Sequence, residues 1–174
     1  MLITGGALRI GEAIALFFAQ KKWNIGIHYN TSKKEALKLQ KKILSFGVKC
    51  CIVKSDLSDD KNVAKLFSKI KKQLGKINCL INSASVFEND EVENINIKKW
   101  NLHFDVNLKA PALLSGEFAK QKNITKSNII NIVDQRVLKI TPYFLSYTLS
   151  KIALNGLTKM LAMKLAPKIR VNAI

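Results

Sequence analysis

Short unbroken apolar runs alternate along this chain with longer stretches in which apolar residues recur every three or four positions. The first pattern suits strands buried on both faces, the second amphipathic helices. Met1 to Thr4 reads as the tail of a strand, and Arg9 to Trp23 as a helix. Ile25 to Tyr29 reads as a strand, and Lys33 to Phe46 as a helix stopped by Gly47. Val48 to Val53 is a predicted strand. Asp59 or Asp60 caps a helix that runs to Leu74 and ends at Gly75. Ile77 to Asn82 is a strand, followed by a polar loop from Ser83 to about Asn96. A helix from near Ile97 to about Lys120 follows, with an adjustment expected at Pro111. Asn128 to Val133 is strand. The helix carrying Tyr147 and Lys151 runs to Ala166, where Pro167 ends it, and Ile169 to Ile174 opens another strand.

Strict alternation of strand and helix predicts an α/β fold with a parallel sheet, its right-handed crossovers placing helices on both faces. No repeat or linker interrupts the pattern, so residues 1–174 are expected to form one domain. The first strand is short before its turn, and the last has no helix to cover it. An uncovered parallel strand leaves an exposed face, so the expectation is a truncated chain, incomplete at the C-terminus and slightly short at the N-terminus.

Composition narrows the function classes. No apolar run approaches the ~18 residues of a membrane span, and the N-terminus has no basic leader or cleavage site, so a cytoplasmic location is expected. The net charge of +17 raises the question of nucleic acid. The charge is mostly lysine, scattered in pairs such as Lys21-Lys22 and Lys71-Lys72, and the only arginines are Arg9, Arg136 and Arg170. Without an arginine stripe or interleaved aromatics, no nucleic-acid partner is expected. Cys50, Cys51 and Cys79 form no CxxC pair, and the chain has two histidines, so neither a disulfide frame nor a metal site is expected.

Two segments carry chemistry. The first is Thr4-Gly-Gly-Ala-Leu-Arg-Ile-Gly11, between a strand and a helix. Small residues there let the backbone approach a pyrophosphate, and the helix N-terminus favours its charge. Gly5, Arg9, Ile10 and Gly11 are the expected contacts. After the second strand the sequence is His28-Tyr-Asn-Thr-Ser-Lys-Lys34, with none of the carboxylates that usually hold an NAD ribose. Hydroxyls, an amide and lysines suit a 2′-phosphate, so NADP(H) is expected, with His28, Tyr29, Asn30 and Ser32 in its site. Ser32 also fits a helix N-cap with Glu35 at the capping-box position, and both readings can hold. Asp56, before Leu57, either accepts from an adenine amino group or initiates a turn. Asn82, Ser83 and Ala84 let a cofactor lie against the sheet's C-terminal edge.

The second segment is Ser146-Tyr-Thr-Leu-Ser-Lys151. Four residues make one helical turn, so the Tyr147 phenol and Lys151 ammonium share a face. A neighbouring cation favours phenolate, so a lowered tyrosine pKa and a proton donor near neutral pH are expected.

These segments, with Asp56-Leu57, Asn82-Ser-Ala-Ser85, Asn107 and Arg170-Val-Asn172, resemble the short-chain dehydrogenase/reductase family along the whole chain. Arg9 replaces the middle glycine of the family's turn, and Asp134 stands where a catalytic serine is usual. Both departures resemble pteridine reductases and dihydromonapterin reductases, as do His28-Tyr29, Ser32, the segment through Phe87, and Asn107-Leu-Lys-Ala-Pro111. The resemblance implies a Rossmann-type doubly wound sheet, a small-molecule substrate of the pterin kind, and a homodimer or homotetramer.

It also implies roles. Tyr147 donates the proton, and Lys151 lowers its pKa and binds the nicotinamide ribose. Asp134 aligns or relays the proton and contacts the pterin, Phe87 stacks on the pterin, and Asn107 holds a water linked to the lysine. Arg9 touches both cofactor and substrate. Plainer readings stand beside these: Phe87 as a core plug, Asn107 as a structural amide, Asp134 as a partner for Arg136. Arg136 itself is either a surface charge or a substrate contact, and His28 and His103 are not expected to be catalytic. Two alternatives remain: an enzyme of the same fold acting on a carbonyl or hydroxy compound, and a non-catalytic NADP-binding module.

Overall fold

The computed structural model describes residues 1–174. Six parallel strands form one sheet: β1 (Leu2–Thr4), β2 (Ile25–Tyr29), β3 (Cys50–Lys54), β4 (Cys79–Asn82), β5 (Ser127–Asn131) and β6 (Ile169–Ala173), in spatial order β3-β2-β1-β4-β5-β6. The helices are α1 (Arg9–Gln20), α2 (Lys33–Leu44), α3 (Asp60–Leu74), α4 (Ile97–Phe104), α5 (Ala110–Ala119) and α6 (Leu145–Leu165).

Alternate residues of each central strand feed two cores. Leu2 of β1 and Leu80 of β4 pack with Leu66, Phe67, Ile70, Leu114 and Phe118 of α3 and α5. Their neighbours Ile3 and Ile81 pack with Ala15, Ala19, Leu39 and Ile43 of α1 and α2. Register keeps the two sets apart, because Leu2 lies opposite Leu80 and Ile3 opposite Ile81. A one-residue slip would exchange every side chain between cores. This two-sided burial is why the strands read as unbroken apolar runs.

Several boundaries differ from the sequence reading. The first helix stops at Gln20, because Lys22 turns back with φ 65°, leaving Trp23 outside. Val48 and Ile77 precede their strands rather than opening them. Asp59, not Asp60, caps α3 by accepting from the Lys61 N–H. The long helix expected from Ile97 to Lys120 is divided by a π-helical stretch at Asp105–Lys109. Pro111 explains the location: it has no N–H for the Asn107 carbonyl and its ring crowds that carbonyl, so the preceding turn widens.

The sheet reverses its winding between β1 and β4. In open α/β sheets ligands bind at that point, beyond the carboxyl ends of the strands. The turns after β1, β4 and β5 all reach it. No helix is long and apolar enough to cross a membrane.

Candidate active site

A cavity of about 450 Å³ opens at this crossover. Its walls include Gly5, Arg9, Ile10 and Gly11 from the turn after β1, Ser83, Ala84 and Phe87 from the loop after β4, Asp134 and Arg136 beyond β5, and Tyr147 and Lys151 from α6. Residues far apart in sequence thus meet at one crevice.

The glycine turn is tightly built. Gly5 has φ +61°, and a Cβ there would come within 2.8 Å of the Ala84 Cα. At Gly11 a Cβ would lie 2.3 Å from the Gly5 carbonyl oxygen. Neither position tolerates a side chain without moving backbone. Arg9 holds φ 51°, the left-handed backbone that glycine adopts without strain, and extends its exposed side chain at the cavity mouth.

Several residues expected at the cofactor do not line this cavity. His28 is buried; its Nδ1 accepts from the Gly5 N–H at 3.1 Å, and its Nε2 faces the Ser55 carbonyl at 3.0 Å. Those partners require a neutral ring protonated at Nε2. Burial pushes its pKa down to about 4. His28 therefore props the turn from behind and does not line the cavity. Tyr29 is buried at the end of β2, and Leu57 belongs to the core. Asn30 is exposed beyond β2. Ser32 occupies the N-cap position of α2 without a side-chain capping bond, so the expected capping box does not form. Asp56 accepts from the backbone N–H and the hydroxyl of Ser58, at 2.9 and 2.8 Å, which makes it a turn former and holds its carboxyl below the usual range.

Asn82 donates to Asn131 Oδ1 at 2.7 Å, tying β4 to β5 beneath the cavity. Asn107 exchanges two bonds with the Val86 backbone, at 2.8 and 3.0 Å, and donates to Ser150 Oγ at 3.1 Å. Both side-chain donors are thus engaged in joining the β4 loop to α6, and neither points to Lys151.

Tyr147 and Lys151 share the face of α6 that fronts the cavity, and both are buried. The Lys151 Nζ lies 5.8 Å from the Tyr147 ring centre and donates to the Ile132 carbonyl at 2.9 Å. Burial lowers its pKa to about 8, against the pull of Asp134. The Tyr147 hydroxyl donates to Asp134 Oδ2 at 2.8 Å. Burial, then that hydrogen bond and the carboxylate's charge, hold the phenol well above its ordinary range; Arg136 and the Ser85 hydroxyl oppose them weakly. The expected lowering by Lys151 is therefore overturned. Burial, with a carboxylate in direct contact added to it, outweighs an ammonium held across the ring.

Asp134 itself stays ionised. Burial would raise its pKa, but the Arg136 N–H at 2.9 Å, the Tyr147 hydroxyl and the Arg136 charge together bring it below the usual range. Phe87 lines the cavity, its ring edge-on to Tyr147 at 4.6 Å between centres. Phe144 stacks behind it at 4.3 Å with the planes 9° apart.

The sequence reading missed what fixes this wall. Phe144 has φ 60°, an outlier for a bulky residue, secured by its N–H donating to Asn89 Oδ1 at 3.1 Å. Buried Asp90 accepts the Ser146 N–H at 3.1 Å and so caps α6 from the distant β4 loop. His103 is fully buried, with Nε2 accepting from the Glu88 N–H and Nδ1 2.7 Å from Ser146 Oγ. Only the acid at position 90 inside an otherwise loop-like stretch could have hinted at this cap.

The sheet order, the glycine turn and the tyrosine–lysine turn define a dinucleotide-binding oxidoreductase fold. The chain belongs to the short-chain dehydrogenase family, whose model matches residues 1–174. It is 34% identical to an uncharacterized oxidoreductase, YjdA, of Bacillus subtilis, over 99% of this chain and 72% of that protein. Among solved structures it resembles FolM alternative dihydrofolate reductase 1 from Brucella canis complexed with NADP, at 40% identity and TM-score 0.94, covering 99% of this chain and 70% of that one. It also resembles acetoin dehydrogenase YohF from Salmonella typhimurium, at 30% identity and TM-score 0.92, covering 99% and 70%.

Proposed function

We propose that this chain is an NADPH-dependent reductase acting on the C=N bond of a pterin-like substrate. The observation that carries the reading is the ionised Asp134 receiving the Tyr147 hydroxyl at 2.8 Å. Ketone reduction builds negative charge on oxygen, which a carboxylate at that spot repels. Reduction of C=N passes through a protonated, cationic nitrogen, which the same carboxylate attracts. The likeness to a FolM alternative dihydrofolate reductase complexed with NADP supports the same choice.

The residues present fit a dinucleotide with a 2′-phosphate. The close-packed glycine turn brings backbone up to the cavity at the start of α1, and no acid lies between Asn30 and Lys34. Gly5, Arg9, Ile10 and Gly11 would hold the pyrophosphate, and Asn30, Ser32 and Lys33 the 2′-phosphate. Ser83 and Ala84 would border the nicotinamide, and Lys151 would bind its ribose. When bound, the reduced nicotinamide supplies a hydride. Tyr147 would turn its hydroxyl hydrogen from Asp134 to the substrate nitrogen and release it there, the phenolate regaining a proton from solvent, while the freed Asp134 carboxylate stabilises the cationic nitrogen. Phe87 would stack on the substrate ring. His28 and Asn107 act as positioning residues for the turn and the β4 loop.

A second reading, reduction of a carbonyl or oxidation of a hydroxy compound, is favoured by the likeness to an acetoin dehydrogenase. NADPH oxidation measured with dihydrobiopterin, dihydromonapterin or dihydrofolate, against diacetyl, decides between them. Turnover with a dihydropteridine supports the first reading, and turnover with diacetyl alone overturns it.

A further inference from the structure

We infer that Arg136 is a specificity-determining residue that donates hydrogen bonds to a neutral oxo group on the substrate ring and so sorts oxo-pteridines from amino-pteridines. This rests on the pterin reading above and concerns the edge of the ring rather than the reacting bond.

Arg136 lines the cavity beside the two aromatic rings, its guanidinium carbon 5.3 Å from the centre of Phe87 and 5.0 Å from that of Phe144. A planar group stacked on Phe87 would therefore present an edge to it. A guanidinium has five N–H donors and no acceptor. Here its side chain makes a single hydrogen bond, from Nη1 to Asp134 Oδ1 at a long 3.5 Å. Its Nε is buried without any partner. That nitrogen is closed off from the cavity, whereas the outer Nη2 makes no hydrogen bond and stays accessible, so it is the donor that a ligand acceptor would meet.

The acceptor's charge follows from the neighbours. A substrate carboxylate at Arg136 would lie close to the ionised Asp134, and the two like charges would repel. A neutral carbonyl oxygen has no such penalty. An amino group in its place would set donor against donor and leave Arg136 unpaired, and sites built around a hydrogen bond reject such analogues strongly. The backbone explains why Arg136 holds this position: Asp134 caps the short turn Gln135–Val137 through the Arg136 N–H, so acid and guanidinium are fixed by one local structure.

The test compares a 2-amino-4-oxo dihydropteridine substrate with a 2,4-diaminopteridine inhibitor, both with NADPH. Wild type, Arg136→Met and Arg136→Lys are measured for KM, kcat and Ki. Arg136→Met keeps the packing stem and removes the donors. It should raise KM for the oxo substrate by about tenfold or more while changing kcat less, as expected for one lost charge-assisted hydrogen bond. Its Ki for the diamino compound should stay the same or fall, so the preference collapses. Arg136→Lys should lie between, retaining charge without the planar fork. NADPH affinity, read by quenching of protein fluorescence, reports that each variant is folded. Equal weakening of both ligands, as a packing role predicts, would overturn the assignment, and so would unchanged constants. Either result with active pteridine reduction leaves the functional reading standing, whereas a wild type that reduces no pteridine removes both.

Discussion

The hydroxyl of Tyr147 donates to Oδ2 of Asp134 over 2.8 Å, and the phenol remains protonated while the carboxyl remains ionised. Burial of the phenol and the carboxylate beside it together outweigh the usual effect of a tyrosine–lysine turn. The lysine is near enough to share the cavity, but its nitrogen bonds the Ile132 carbonyl and not the phenol.

Replacing Asp134 by Asn keeps the shape and removes the charge. The Tyr147 pKa should then fall, because both the charge and the acceptor strength that hold it high are lost. Titration of tyrosine absorbance in wild type and variant checks the direction; an unchanged or higher value for Tyr147 would contradict the electrostatic account.

Tyr147→Phe should lower pteridine turnover by about 10²- to 10⁴-fold, the usual contribution of a positioned proton donor. NADPH affinity should change little. Steady-state rates and fluorescence titration report the two effects separately.

Lys151 has a signature in stability. Its folded pKa of about 8 lies below the 10.5 of an exposed lysine. Between those values the unfolded chain binds the proton and the folded chain does not, so stability rises with pH, by roughly 3 kcal/mol in total. Below pH 8 that contribution is absent. Burial raises the Cys50, Cys51 and Cys79 thiols and the Tyr147 phenol, which pull stability down over the same range, so urea unfolding from pH 7 to 10.5 should show the Lys151 contribution as a difference: wild type gains relative to Lys151→Met as pH rises.

His28 gives the complementary slope at acid pH. Its folded pKa of about 4 lies below 6.5, and only the neutral ring can accept from the Gly5 N–H. The unfolded chain binds a proton first, so stability falls as pH drops from 6.5 towards 4. His28→Gln should flatten that loss. It should also weaken NADPH binding although the side chain does not line the cavity, which isothermal titration would detect.

Asp90→Ala removes the cap of α6 and should lower stability by about 1–2 kcal/mol, measurable by urea unfolding. Because the lost cap fixes the start of α6 next to Phe144, whose ring backs Phe87 at the cavity, the KM for pteridine should rise more than that for NADPH.

Much of this was legible in the sequence because it depends on local spacing. The four-residue step from Tyr147 to Lys151, the glycines at 5 and 11, and the unbroken apolar strands each follow from a period or a turn. What was not legible depends on residues distant in sequence. Asp90 caps a helix that starts 55 positions later. His28 reads as a cofactor contact until the fold shows it facing Gly5 from behind. The sign of the Tyr147 shift could not follow from Lys151 alone, because Asp134 reaches the hydroxyl only once β5 and α6 are packed together. Pro111 marked a disturbance, but the widened turn falls before it, where the missing N–H is felt.

The most direct test of the account is the substrate preference of wild type against Asp134→Ser, with a dihydropteridine and diacetyl each measured as kcat/KM with NADPH. Asp134 as the group that selects C=N over C=O predicts that wild type prefers the dihydropteridine and that the serine variant shifts towards the diketone. A wild type that reduces diacetyl as well as or better than the dihydropteridine, or a preference untouched by the substitution, would contradict it.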